Sequence, residues 1–249
     1  MAEFSIDRDV LRFLNAHLGT TDDEAFEKCS YFAYRDMCRT ISFKSEYKEL
    51  AKQKGEGNEE RKQRLIQNKK AAAKKLSLRK KVEALIKTQV ILWQENPPKS
   101  RECFDCIHNK LCNDIITVYK STTAQNETND SLFYGQAQKW VNMTLKNLYV
   151  YSKSNDTALN IEPLLPFLHV PIDSIIISVA SGKTRCAIDH PEVIYGVEAP
   201  AESWSQMDEK AYEDYQGKLR KRIEALFPDV YPIIWELRHW SAAETYKEK

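Results

Sequence analysis

Residues 132–151 read LFYGQAQKWVNMTLKNLYVY, and this stretch decides the fold. At 100° per residue, Ala137, Val141, Thr144, Leu145 and Leu148 fall within one helical face. Trp140, Met143, Val150 and Tyr151 widen that apolar arc to well over half the circumference, so the helix must be covered on most sides. It belongs in the middle of a helical domain. The remaining polar stripe holds Gln138, Lys139, Asn142 and Lys146, with Tyr149 beside them. A lysine near a core needs a carboxylate, a ligand or an exit to water. If the stripe is internal, Asp173 and Glu236 are candidate partners, and His169 and His239 are candidates to line the same space. Gln138, Lys139, Asn142, Lys146 and Asp173 therefore read as a candidate pocket for an anionic or nucleotide-like ligand. The competing reading is lysines that snorkel from the edge of the domain.

The flanking segments carry helical signals too. Ser5 to Leu18 shows an apolar period that ends at Gly19, and Thr20 or Thr21 followed by Asp22, Asp23 and Glu24 suits the start of a helix with an aromatic stripe of Phe26, Tyr31, Phe32 and Tyr34. Ser100 is placed as the N-cap of a helix to about Lys120, with Phe104, Ile107, Leu111, Ile115 and Tyr119 facing inward, and Ser121 to Asp130 reads as a loop. Leu164 to Ile177 is interrupted by Pro166 and Pro171; Ile175, Ile176 and Ile177 fit a short strand or, preferably, a helix with Asp173 in its first turn. Alternating apolar positions at Val193, Tyr195 and Val197 leave room for a small hairpin. Ser205 to Asp208 resembles a capping box for a helix to Phe227, with Tyr212, Tyr215, Leu219, Ile223 and Leu226 inward. Tyr231-Pro232 opens a last helix through Trp240, with Ile233, Leu237 and Trp240 inward.

Between Arg61 and Val82 the chain has ten Lys/Arg and no Asp/Glu, although the net charge of the whole is only +1. Lys54 to Asn58 reads as a flexible break before this basic segment. Leu65, Ala72 and Leu76 share one stripe while Val82, Leu85, Ile86 and Trp93 share another, so the periodicity predicts two helices divided near Ser77, the second ending at Pro97-Pro98. Lys69, Lys70, Lys74, Lys75, Arg79, Lys80 and Lys81 form a phosphate-backbone footprint of the kind that binds nucleic acid, DNA or RNA, without regard to sequence. No aromatic side chains are interleaved to stack bases. The alternative is a solvated face that docks on the acidic stretch Glu192–Asp214, with seven acids and one lysine, of the same chain or of a second copy.

Two further constellations lie between residues 101 and 112. Cys103, Cys106, His108 and Cys112 offer four zinc-ligand types within ten residues, but one straight helix cannot wrap them round a tetrahedron, and no second CxxC or HxxxH exists, so buried thiols are the favoured reading. Arg101-x6-His108 resembles the Arg-x4-6-His motif of HEPN-type ribonucleases. That resemblance covers about eight residues. It implies metal-free general acid–base attack by a ribose 2′-hydroxyl, with Arg101 and His108 as the catalytic pair in a self-associated all-α domain. No P-loop, Gly-x-Gly-x-x-Gly, His-Glu-x-x-His, Gly-x-Ser-x-Gly or kinase motif is present; Ser181-Gly-Lys-Thr184 lacks the rest of a Walker A loop.

Composition fits this picture. Hydrophobic residues make up 42% and charged residues 29%, with 7 Gly and 9 Pro, too few turn residues for an all-β barrel or sandwich. No run of 18 apolar residues suggests a membrane span, and Met1 to Asp7 has neither a basic nor an apolar leader region, so a cytoplasmic chain is expected. Its cysteines (Cys29, Cys38, Cys103, Cys106, Cys112 and Cys186) then sit in a reducing environment, and the sequons at Asn126, Asn129, Asn142 and Asn155 carry no glycan. The expectation is a mainly α, multi-helix globular bundle, with a small β element within 172–198. Residues 1–249 are expected to form one domain with a polar, basic helical segment at about 44–81 that either projects from it or is flexible. Its partners are nucleic acid, a protein, or a second copy, with no cofactor and no membrane. A binding protein acting through residues 61–81 leads; the alternatives are the ribonuclease at Arg101/His108 and a ligand-binding enzyme at the Gln138–Lys146 stripe.

Overall fold

The computed structural model describes residues 21–125, 130–155, 157–182 and 196–247. Among them are seven α-helices: α1 (Asp22–Cys38), α2 (Asn58–Glu95), α3 (Arg101–Val118), α4 (Tyr134–Ser154), α5 (Ser174–Ala180), α6 (Glu209–Leu226) and α7 (Pro232–Lys247). The chain is mainly α. The β structure of the described residues is a single antiparallel bridge between Phe43 and Thr123. The expected helix at residues 5–18 and most of the expected hairpin, including Val193 and Tyr195, lie outside the described residues, as does Cys186.

α4 is the central element, as its wide apolar arc requires. Trp140, Val141, Leu145, Leu148 and Val150 are buried, and α1, α3, α6 and the segment Trp204–Gln206 all pack against it. α1 begins at a capping box in which the Thr21 hydroxyl accepts from the Glu24 backbone and Glu24 returns a bond to the Thr21 N–H. Its buried face is Ala25, Phe26, Cys29, Ala33 and Met37 rather than the expected aromatic stripe. The small residues on that face let α4 come close. Trp140 then donates its indole N–H to the Ser30 carbonyl and hydroxyl, both at 3.1 Å. Tyr31 is displaced to the surface, where the Arg79 guanidinium lies over its ring at 4.5 Å.

Gly135 marks a second close approach. Its N–H donates to the Met207 carbonyl at 3.0 Å, and a Cβ there would lie 1.8 Å from the Trp204 carbonyl oxygen. Any side chain would push the 204–206 turn off the start of α4.

Two expectations on local structure are corrected, at α2 and at the start of α6, and the preferred helical reading of residues 175–177 holds. α2 is one continuous helix of 38 residues, with no break at Ser77; at 1.5 Å per residue it is about 57 Å long. Its apolar stripe shifts because its two halves meet different neighbours. The C-terminal half buries Leu78, Val82, Ile86, Val90 and Trp93 toward α1 and α3. The N-terminal half is held by the preceding segment: Leu50 N–H donates to Asn68 Oδ1 at 2.7 Å, Arg64 pairs with Glu56 at 2.6 Å and Lys75 with Glu49 at 2.7 Å. Residues 175–177 are helical, since the Asp173 carboxylate caps α5 by accepting from Ile176 N at 2.8 Å. α6 starts one residue after Asp208, which accepts from Ala211 N; Ser205 lies in a 3-10 turn upstream.

Candidate functional site

The polar stripe of α4 is internal. Gln138 and Asn142 are 0% and 1% exposed, Lys139 and Lys146 3% and 6%. Each lysine has a carboxylate partner at salt-bridge distance, and both are the ones the sequence nominated. Lys139 Nζ lies 2.7 Å from Asp173 Oδ2, and Lys146 Nζ lies 2.8 Å from Glu236 Oε1. Burial alone would raise the Asp173 carboxyl; the field of Lys139 and the Ile176 N–H outweigh it and hold the group below the usual range. Burial wins at Glu236, whose carboxyl is pushed up despite Lys146. Both lysines are therefore neutralised within the fold. They tie α4 to the caps of α5 and to α7.

The other edge of the stripe continues into a chain of buried hydrogen bonds. Asp105 Oδ1 accepts from His169 Nε2 at 2.7 Å, which leaves His169 Nδ1 to accept from the Tyr212 hydroxyl at 2.8 Å. The Tyr212 oxygen accepts from Asn142 Nδ2 at 2.9 Å, and Asn142 Oδ1 accepts from His108 Nε2 at 2.9 Å. Asn142 also donates to Gln138 Oε1 at 2.9 Å, and Gln138 donates onward to the Gly135 carbonyl. Each member's role follows from its neighbour's, so the network fixes both histidine tautomers. Burial pushes the His108 imidazole down to about 3, and burial likewise lowers His169 although Asp105 opposes it. Both rings are neutral at physiological pH. At Asp105 burial acts upward, but the His169 hydrogen bond and the Arg220 charge bring the carboxyl below its ordinary value.

Asp105 is the solvent end of this chain, with its side chain 37% exposed. It sits at a cleft of about 120 Å³ between α3 and α6, where Arg220 Nη1 approaches Asp105 Oδ2 at 3.8 Å. Asp105, Tyr212, Gln216 and Arg220 were missed as polar site residues. A signal for them existed: Tyr212, Gln216 and Arg220 are four residues apart along the inward face of α6, where an amide and a guanidinium have no place in a plain apolar stripe.

The remaining candidates are dispersed. Arg101 is on the surface and pairs with Glu224 at 2.5 Å, while His108 is fully buried beneath Asn142. Cys103 and Cys106 are exposed and Cys112 is buried with His108, its sulfur 3.8 Å from Nδ1. Among the described residues no cluster of His, Cys, Asp or Glu is placed to hold a metal ion. On α2, Lys75, Arg79 and Lys80 have acidic partners, in Glu49, Glu83 and Glu27 together with Glu83. These acids come from α1, α2 and the 45–57 segment, not from the acidic stretch 192–214. Lys69, Lys70, Lys74 and Lys81 are exposed. Among the described residues they have no carboxylate within 4 Å; Lys74 lies over the Tyr47 ring at 5.3 Å. No protein-family profile, curated protein or solved structure matches the chain, and among the described residues no helix is long and apolar enough to cross a membrane.

Proposed function

We propose that the protein binds nucleic acid through the exposed lysines of α2. The observation that supports this is the division of the basic segment: four of its cations, Arg64, Lys75, Arg79 and Lys80, are paired with intramolecular acids, whereas Lys69, Lys70, Lys74 and Lys81 are solvent-facing and have no carboxylate among the described residues. Lys70, Lys74 and Lys81 follow one another down one side of a rigid helix over about 16 Å, a length along which a nucleic-acid strand presents several phosphates. Each lysine that neutralises a phosphate releases a counterion, so binding is salt-sensitive and indifferent to sequence.

Fluorescence anisotropy with a labelled 20-base-pair DNA or RNA duplex tests the reading. The logarithm of affinity is expected to fall linearly with the logarithm of salt, by about 0.9 for each phosphate neutralised. Changing Lys69, Lys70, Lys74 and Lys81 together to Glu should abolish retention while leaving the helical signal and Tm unchanged. Wild-type protein that binds neither duplex at 50 mM salt, or a quadruple variant that binds as well as wild type, would overturn it.

A further inference from the structure

The cleft between α3 and α6 contains features that folding alone does not explain. Gln216 is only 4% exposed, lines the cleft, and has neither its amide nitrogen nor its amide oxygen hydrogen-bonded. Nearly all buried amides in folded proteins are paired, because an unpaired one has lost water and gained nothing. Arg220, 5% exposed, donates through Nη2 to the Phe167 carbonyl at 3.1 Å, yet its Nε has no partner. Between them in sequence is Gly217, in the interior of α6 and on the wall of the cleft. Glycine weakens a helix relative to alanine. A Cβ at Gly217 would meet nothing within 4 Å, so no neighbour in the fold requires the missing side chain.

We propose that this cleft binds a small zwitterion, an amino-acid-like molecule with one carboxylate and one ammonium group. The chemistry of the walls selects that class. Arg220 Nε and the Gln216 amide nitrogen are two unpaired donors, one from each side chain, which suit the two oxygens of a carboxylate. Asp105 Oδ1 is committed to His169, and among the described residues the cation nearest Oδ2 is Arg220, at 3.8 Å. Asp105 and Gln216 Oε1 thus offer acceptors to an ammonium group, and Glu213, on the same wall, adds negative charge. A simple anion would meet two carboxylates and one guanidinium; a simple amine would leave Arg220 Nε and the Gln216 amide nitrogen unpaired. The volume, about 120 Å³, is that of a small cleft and suits a molecule the size of glycine, alanine or serine.

Isothermal titration calorimetry of the full chain with glycine, L-alanine and L-serine, and with acetate and methylammonium as half-ligands, tests the assignment. At least one zwitterion is expected to bind with Kd tighter than about 5 mM, and both half-ligands at least tenfold more weakly. Gln216→Leu removes the unpaired amide, and Gly217→Ala adds a methyl group at the wall of the cleft. Each should weaken zwitterion binding at least tenfold. Gly217→Ala should also leave the Tm of the ligand-free protein equal or higher, so that its loss of binding is not a loss of fold. The assignment is overturned if no zwitterion binds within that limit, if a half-ligand matches it, or if either variant loses less than tenfold. Nucleic-acid binding by α2 should be unaltered in both variants, which keeps the two proposals separable.

Discussion

Lys74 on α2 and Lys139 on α4 are the same side chain in opposite electrical situations. Lys74 is exposed, resting over the Tyr47 ring in contact with water. Lys139 is 3% exposed and held at 2.7 Å from Asp173. The difference teaches where charge in this chain acts inwardly and where it is left available. In the α4 region every lysine is matched to a carboxylate from another element, so charge specifies which helices meet. Along the N-terminal half of α2 no residue before Ala71 is buried, and pairing is partial. Arg64 and Lys75 hold the preceding segment there, and the charge of the unpaired lysines is free to meet a partner.

The sharpest way to break this contrast is to remove one lysine from each region. Lys139→Met or Lys146→Met strands a buried carboxylate and should cost about 3–5 kcal/mol in denaturant unfolding. Lys70→Met or Lys74→Met should stay within about 0.5 kcal/mol. Adding Asp173→Asn to Lys139→Met should recover much of the loss, because asparagine keeps the cap of α5 without the unpaired charge. Similar losses in the two regions would erase the distinction.

Acidification is the next largest effect. His108 is neutral when folded, with its imidazole held down to about 3, and protonates near 6.5 when unfolded. The unfolded chain then binds a proton that the folded chain refuses, so this contribution is fully present above pH 6.5 and is lost as pH falls toward the folded value. Between pH 6.5 and 5 the loss is about 2 kcal/mol, with His169 adding in the same direction. Glu236, whose carboxyl is raised, acts oppositely below its folded pKa. Comparing wild type with His108→Asn isolates the histidine: the two unfolding-energy curves should converge as pH falls, and parallel curves would count against a buried neutral imidazole. Smallest of all, Lys75→Ala removes a half-exposed pair with Glu49 and should change stability by about 0.2–1 kcal/mol.

How much of this was legible in the sequence follows from the kind of signal each region carries. The central helix, the Ser100 cap and the internal lysines with Asp173 and Glu236 could be named in advance, because burying an ammonium demands a specific answer. His108 was harder. Read as part of a motif it pointed outward, yet its spacing from Phe104, Leu111 and Cys112 places it on the buried face of α3. The continuity of α2 was hidden because its stripe depends on two different neighbours, which no local period records. Arg220 and Gln216 were passed over among the apolar positions of α6, where the polar members were the informative ones.

The claim that availability, not mere positive charge, distinguishes the two regions is tested most directly within α2 itself. Two variants should be compared by duplex anisotropy at 50 and 200 mM salt: Lys70→Gln with Lys74→Gln, and Lys75→Gln with Lys80→Gln. Each removes the same net charge from the same helix. The account predicts at least a tenfold loss of affinity and a shallower salt slope, by about one for each lysine, for the first pair, and less than a threefold loss for the second. Equal losses in the two, or none in the first, would contradict it.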